Sequence, residues 1–328
     1  MRKRLLLLGA GIILTFFVVN LFGLAEVAAA LARANPAFVA GAAGLQLAAL
    51  TLYAARLRAI GGGFISFAKA LRVTLAGGFV SLITPIAKIG GEPLKMYMIR
   101  DNYGGSKAAA VVVADDVVDA LVNILLVGAS VAFLVPIFVP SMIATFAIFL
   151  AVASGLLAIA VKLFLSPTLL KRIVDWFLDK ISKHPDKKAD HVGMFYESFC
   201  SLLLKKPAKL AAVINITFLI KLAEFAVIWL SFAAIGAALP WHEIILMWSI
   251  ILVFLFVPWL PGSLGLVELG AASALVALGI PSAVAAGGIL INRFASFWLV
   301  LAAGLVALTV ARKHGELPGA FYVDHEKV

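Results

Sequence analysis

Apolar residues run along this chain in long uninterrupted stretches, and Lys and Arg cluster where those stretches end. Full-length stretches lie at about 5–24, 37–55, 108–135, 140–163, 209–235 and 283–311. A helix needs about 20 apolar residues to cross the ~30 Å hydrocarbon core, so each of the six predicts a transmembrane helix. The runs are continuous and rich in Ala, Leu and Gly, without the strict alternation of barrel strands. Helices are therefore the form in which the backbone satisfies itself in lipid. Leu5 to Leu24 follows Met1-Arg2-Lys3-Arg4 and exceeds the ~7–15 apolar residues of a signal peptide, which predicts an uncleaved first helix.

Two further segments are apolar but broken. Residues 73–87 meet Pro85, Lys88, Gly90, Gly91 and Glu92, and the chain is basic again by Lys95 and Arg100. Residues 243–280 are interrupted by Pro258, Pro261, Gly262, Gly265 and then Glu268. Irregular backbone at membrane depth survives only where protein buries it or water reaches it. Both segments read as re-entrant hairpins of broken helices. The predicted fold is an all-α polytopic membrane protein with about six full spans and two such hairpins.

Charge supports this layout. With the N-terminus inside, Arg33 alone among 27 Lys and Arg lies outside, and Lys88, Lys221 and Arg293 fall within membrane segments. The rest are cytoplasmic, including the 56–72 loop and the Arg312-Lys313 tail, as the positive-inside rule requires. Both termini are thus expected on the cytoplasmic side of a prokaryotic plasma membrane. Composition agrees: 63% of 328 residues are hydrophobic and 13% charged, against about 25% charged in soluble domains, and mean hydropathy is +1.10. The net charge of +10 sits at span ends and in one large loop, a placement that does not suit nucleic acid.

That loop, 166–208, carries Leu169, Leu170, Ile173, Phe177 and Ile181 at helical spacing, then Phe195, Phe199, Leu202 and Leu203. Amphipathic helices lying on the inner leaflet fit this pattern; a hairpin packed on the spans' ends fits it equally.

The two broken segments share a pattern. Pro85 precedes Glu92 by seven residues, as Pro261 precedes Glu268. Fourteen residues after each Glu a serine, Ser106 or Ser282, opens a long span; ten beyond stand Asp116 and Asn292, with the polar neighbours Asp115 and Arg293 beside them. The layout sets the copies, about 37–135 and 209–311 of a single domain spanning 1–328, in opposite orientations. Inverted repeats with broken helices near the midplane are a recurrent transporter plan, and half-helix N-termini suit anionic groups. Glycines at the breaks permit close backbone approach; they also serve kinks and tight packing.

Ionisable residues within a bilayer cost about 2.5–3.5 kcal/mol even on insertion scales, which makes them functional candidates. Here they are Lys88, Glu92, Asp115, Asp116, Asp119, Lys221, Glu224, Glu268 and Arg293. Asp115 and Asp119 share a helix face, while Asp116 points about 100° away. Lys88, Lys95, Arg100 and Arg293 are the cations expected to neutralise them. Lys221 and Glu224, three apart, read as a structural ion pair. The candidate head-group site is therefore Thr84, Pro85, Lys88, Gly90, Gly91, Glu92, Lys95, Arg100, Asp115, Asp116, Asp119, Pro261, Gly262, Gly265, Glu268, Asn292 and Arg293.

The sequence contains no Gly-rich phosphate loop, HExxH or nucleophile elbow. A lone cysteine, Cys200, precludes an intrachain disulfide or cysteine-cluster metal site, and five histidines lie in loops or tails. No cofactor and no metal are expected.

Thr84-Pro85, Gly90-Gly91-Glu92, Lys95, Ser106-Lys107-Ala108-Ala109-Ala110 and the acidic span to Asp119 resemble the first signature of the flippase-like family. Pro261-Gly262-Ser263-Leu264-Gly265, Glu268, Leu278-Gly279-Ile280-Pro281 and Asn292-Arg293 resemble its second. That family includes the transmembrane region of lysylphosphatidylglycerol synthases, and the resemblance covers almost the whole chain. It implies lipid head-group handling, either flipping of aminoacylated phospholipids or work near polyprenyl-linked sugars. Asp116 stands where members often carry arginine. The soluble aminoacyl-transferring domain of the bacterial enzymes is not expected in this chain.

The expected function is lipid translocation, with an anionic, aminoacylated or polyprenyl-phosphate head group held between the repeats. A membrane-embedded transferase on a lipid-linked substrate, with Glu92 or Asp115 as base, is one rival. A scaffold recruiting a separate lipid-modifying enzyme through 166–208 is another. Membrane lipids are the expected partners, with homo-oligomers allowed.

Overall fold

The computed structural model describes residues 2–84, 90–138, 188–203, 207–255 and 261–318. Every regular element in them is helical. In chain order they are α1 (Arg2–Leu21), α2 (Leu24–Ala32), α3 (Pro36–Ile60), α4 (Phe67–Ile83), α5 (Glu92–Tyr103) and α6 (Gly105–Phe138). Then come α7 (Lys188–Leu203), α8 (Pro207–Ala233), α9 (Trp241–Leu255), a 3₁₀ turn (Pro261–Ser263), α10 (Leu266–Ala277), α11 (Ser282–Arg293), a π segment (Phe294–Trp298) and α12 (Leu299–Lys313). Among the described residues, Pro36–Ile60, Pro207–Ala233 and Ser282–Lys313 are long and apolar enough to cross a membrane; the bent pair Gly9–Leu21 and Leu24–Ala32 could form a fourth span. The predicted span at 108–135 lies within the 34-residue α6. The one at 140–163 lies outside the described residues.

Two boundaries differ from the sequence reading. The first span ends at Leu21, where the chain bends by 96° into α2. Gly23, at φ 90°, makes the turn, a left-handed conformation that glycine adopts without steric cost. Val27 of α2 then packs with Val19 and Ala286, so the small-residue stretch after the first span is a packed helix. The predicted 56–72 loop is in fact short, because α3 continues to Ile60 and α4 begins at Phe67. That extension carries Arg56 inside a helix.

The chain divides into two compact units. One comprises Met1–Ala55, Phe67–Met98 and Ile216–Val328. Within it α12 packs along α4, with Gly304 lying against the Leu75 carbonyl and Phe79. Phe232 of α8 packs against Gly288 of α11. Beyond α12 the chain returns to α4, where Arg72 grips both Glu316 carboxylate oxygens at 2.7 and 3.1 Å.

The other unit comprises Arg56–Ser66 and Ile99–Asn215. Here α7 packs along α6 and buries Phe199 and Leu202, with Phe195 stacked on Phe199 at 6.1 Å. The second amphipathic stretch of 166–208 thus packs in part on α6; the first lies outside the described residues.

Candidate functional site

Both predicted breaks are present. At the first, α4 ends at Ile83 and α5 starts at Glu92; Pro85 and Lys88 lie between, outside the described residues. Pro93 sets the start of α5, since a residue without an N–H is tolerated only in a helix's first turn. Thr84 is buried and its hydroxyl donates to the Val80 carbonyl at 2.8 Å. The Gly91 N–H donates to Ser81 Oγ at 2.9 Å. Gly90 lies against the Thr84 hydroxyl and Gly91 against the Gly77 carbonyl, so a side chain at Gly90 would strike Thr84 and one at Gly91 would strike α4. Glu92 is 6% exposed. One carboxylate oxygen, Oε1, meets Lys95 Nζ at 2.9 Å; the other, Oε2, is buried and has no hydrogen-bond partner among the described residues.

Gly91→Ala is accordingly expected to cost about 1–3 kcal/mol of stability, read from denaturant unfolding in detergent. Gly44→Ala in α3, where nothing lies within 4 Å of the added carbon, should be neutral or mildly stabilising, because Ala is the better helix former.

At the second break α9 ends at Leu255, and Pro261–Ser263 turns the chain into α10. Gly262, Ser263 and Gly265 have φ of 57°, 51° and 83°, a run of left-handed backbone that only a held turn keeps. Ser263 Oγ donates to the Phe254 carbonyl at 2.8 Å. Glu268 closes the circuit. Its Oε2 accepts the Gly265 N–H at 2.7 Å and its Oε1 accepts Arg293 Nε at 2.8 Å. Arg293 Nη2 donates to the Gly262 carbonyl at 2.7 Å, and the guanidinium lies 4.8 Å from the Phe297 ring centroid, a cation–π distance. Both charged residues are 3% exposed. The π segment begins at the next residue, Phe294. Asn292 is buried, with Ser296 Oγ 3.4 Å from its Oδ1.

The two breaks belong to one compact unit. Gly78 of α4 faces Val300, Gly304 faces Leu75 and Phe79, and Gly262 abuts Phe297. The antiparallel run of α4 along α12 therefore carries the end of α4 toward the π segment that also receives the 3₁₀ turn, and this turn packs against α4. Thr84, Gly90, Gly91, Glu92, Lys95, Pro261, Gly262, Gly265, Glu268, Asn292 and Arg293 all fall in this unit.

Arg100 and the three aspartates belong to the other unit. The Arg100 side chain is 49% exposed beside Asp101 at 3.4 Å, which places it at the surface. The acidic face of α6 is neutralised by a cation outside the expected set. Arg56, 1% exposed, donates from Nε to Asp115 at 2.7 Å and from Nη1 to Asp119 at 2.9 Å. Arg293, expected among those partners, instead holds Glu268. Asp115 and Asp119 do share a face, since one guanidinium spans both. Beside Arg58 at the end of an apolar run, Arg56 reads in the sequence as one more cytoplasmic charge.

Lys221 and Glu224 pair at 3.3 Å as expected, within a larger cluster. Glu224 also accepts from Tyr53 Oη at 2.6 Å and Trp248 Nε1 at 2.8 Å. The Lys221 ammonium lies 5.7 and 5.6 Å from the Tyr53 and Trp248 rings. Among the described residues no group of three or more His, Cys, Asp or Glu could hold a metal ion.

Residues 4–304 match the family model described as the lysylphosphatidylglycerol synthase TM region. A UPF0104 membrane protein of Methanothermobacter thermautotrophicus is 26% identical over 321 residues, covering 93% of this chain and 95% of the relative. Another UPF0104 membrane protein, from Pyrococcus horikoshii, is 22% identical over 334 residues, covering 95% and 98%.

Proposed function

This chain belongs to the lysylphosphatidylglycerol synthase transmembrane-region family, and from that membership and the geometry of the two breaks we propose that it is a membrane lipid translocase. The observation carrying the proposal is that two helix breaks, with Glu92, Glu268 and Arg293 all buried beside them, lie in one compact unit. Buried charge at broken helices is expensive and marks a polar path for a substrate or ion. In this reading the breaks belong to oppositely oriented repeats, and about six full spans place both termini in the cytoplasm of a prokaryotic cell. The matched offsets from Pro85 to Asp116 and from Pro261 to Asn292 support the repeat.

The breaks have unequal parts. Glu268 and Arg293 satisfy each other and the turn, so the second break is a fixed scaffold. The first retains an unused acceptor and is the one that meets the lipid. The α10 N-terminus offers less to an anion than its sequence implies, because Glu268 already takes the Gly265 N–H.

The purified protein reconstituted in phosphatidylglycerol vesicles should move acyl-labelled phosphatidylglycerol between leaflets faster than protein-free vesicles do. Glu92→Gln should slow that movement at least tenfold, the scale of a lost hydrogen bond to a charged group. Movement no faster than in empty vesicles would defeat the proposal.

A further inference from the structure

We propose that the open oxygen of Glu92 receives a neutral hydrogen-bond donor, a hydroxyl of a polyol head group. The inference rests on the translocase reading and names the chemistry recognised at its first break. Glu92 opens α5, its side chain is 8% exposed, and Oε2 is buried without a partner among the described residues. A buried acceptor left empty costs about 1–3 kcal/mol, so the site is stabilised by whatever donor enters it.

The neighbouring groups select the donor. Lys95 meets Oε1 at 2.9 Å and matches the charge of Glu92. Of the nearby hydroxyls, Thr84 donates to the Val80 carbonyl and Ser81 accepts the Gly91 N–H, and neither donates to Oε2. The 3₁₀ turn packed against α4 is followed by Glu268 and is held by Arg293, which bind each other. With the charge of Glu92 met, a second cation gains little from Oε2, and an anion is repelled by it. A hydroxyl donates one hydrogen bond and adds no charge. The corresponding glutamate of the second break has both oxygens engaged, so this acceptor distinguishes the first break from the second.

The experiment compares two acyl-labelled lipids in the same proteoliposomes. Phosphatidylglycerol and phosphatidylethanol carry the same phosphodiester charge, but only the former has head-group hydroxyls. Phosphatidylglycerol should move roughly tenfold to a hundredfold faster, the range for one hydrogen bond to a charged acceptor. The preference should vanish in the Glu92→Leu/Lys95→Met double variant, which leaves no unpaired ammonium, with phosphatidylglycerol falling to the rate of phosphatidylethanol. Equal rates for the two lipids in the wild type, or a preference that survives in the variant, would overturn this inference and leave the translocase reading standing. Acceleration of neither lipid would overturn both.

Discussion

Arg56→Met is expected to lower the unfolding free energy by about 3–5 kcal/mol, the usual cost of removing one partner from a buried ion pair. The arginine side chain is 2% exposed and holds Asp115 at 2.7 Å and Asp119 at 2.9 Å. The second Asp119 oxygen accepts from Asn123 Nδ2 at 2.9 Å, so the guanidinium anchors a network within its unit. Methionine keeps much of the apolar stem but leaves both carboxylates without that cation. Adding Asp115→Asn and Asp119→Asn should restore most of the loss, because a neutral set carries no uncompensated charge. Denaturant titration of the detergent-solubilised protein would measure both variants. A loss below about 1 kcal/mol for Arg56→Met, the level of an exposed pair, would show that Arg56 does not hold the acidic face.

The second large effect is expected at Glu268 and Arg293. Glu268→Leu strips Arg293 of its counter-ion and orphans the Gly265 N–H; Arg293→Met leaves Glu268 charged and releases the Gly262 carbonyl. Each should cost about 3–5 kcal/mol. The double variant should cost less than the two together, with a coupling of about 1–3 kcal/mol. That coupling is the informative quantity, because the bland outcome of two independent packing losses would give an additive cycle. Additivity within about 0.5 kcal/mol would dissolve the closed circuit on which the fixed role of the second break depends.

Much of this architecture is legible along the chain. Pro85, Gly90, Gly91 and Pro261, Gly262, Gly265 mark the two places where helices stop, because proline lacks an N–H and glycine admits left-handed backbone. The apolar runs locate α3, α6, α8 and the α11–α12 helix to within a few residues. Gly23 is a different matter. A single glycine in an apolar run is common in membrane helices, and only the packing of Val27 against Val19 and Ala286 makes it a sharp bend. The seven-residue spacing from Pro to Glu also hides a difference. Glu92 opens its helix, whereas Glu268 stands third in α10, where it can reach back to the Gly265 N–H.

By itself, then, the sequence determined that the chain is helical and membrane-embedded, where its helices break, and which carboxylates must be compensated. These follow from local periodicity, backbone chemistry and the cost of charge in lipid, all of which are properties of neighbouring residues. Lys221 and Glu224 pair within one helical turn, as their spacing predicts, but which cation compensates Asp115, Asp119 and Glu268 was decided only in three dimensions. Arg56 and Asp115 are 59 residues apart, and Glu268 and Arg293 are 25 apart. Pairing across such distances depends on how the Arg56 end of α3 meets α6 and how α10 meets α11, and helix packing is set by side-chain shape along whole faces rather than by charge at one position. The same dependence left one oxygen of Glu92 unused while filling both of Glu268, a distinction that two similar motifs could not express.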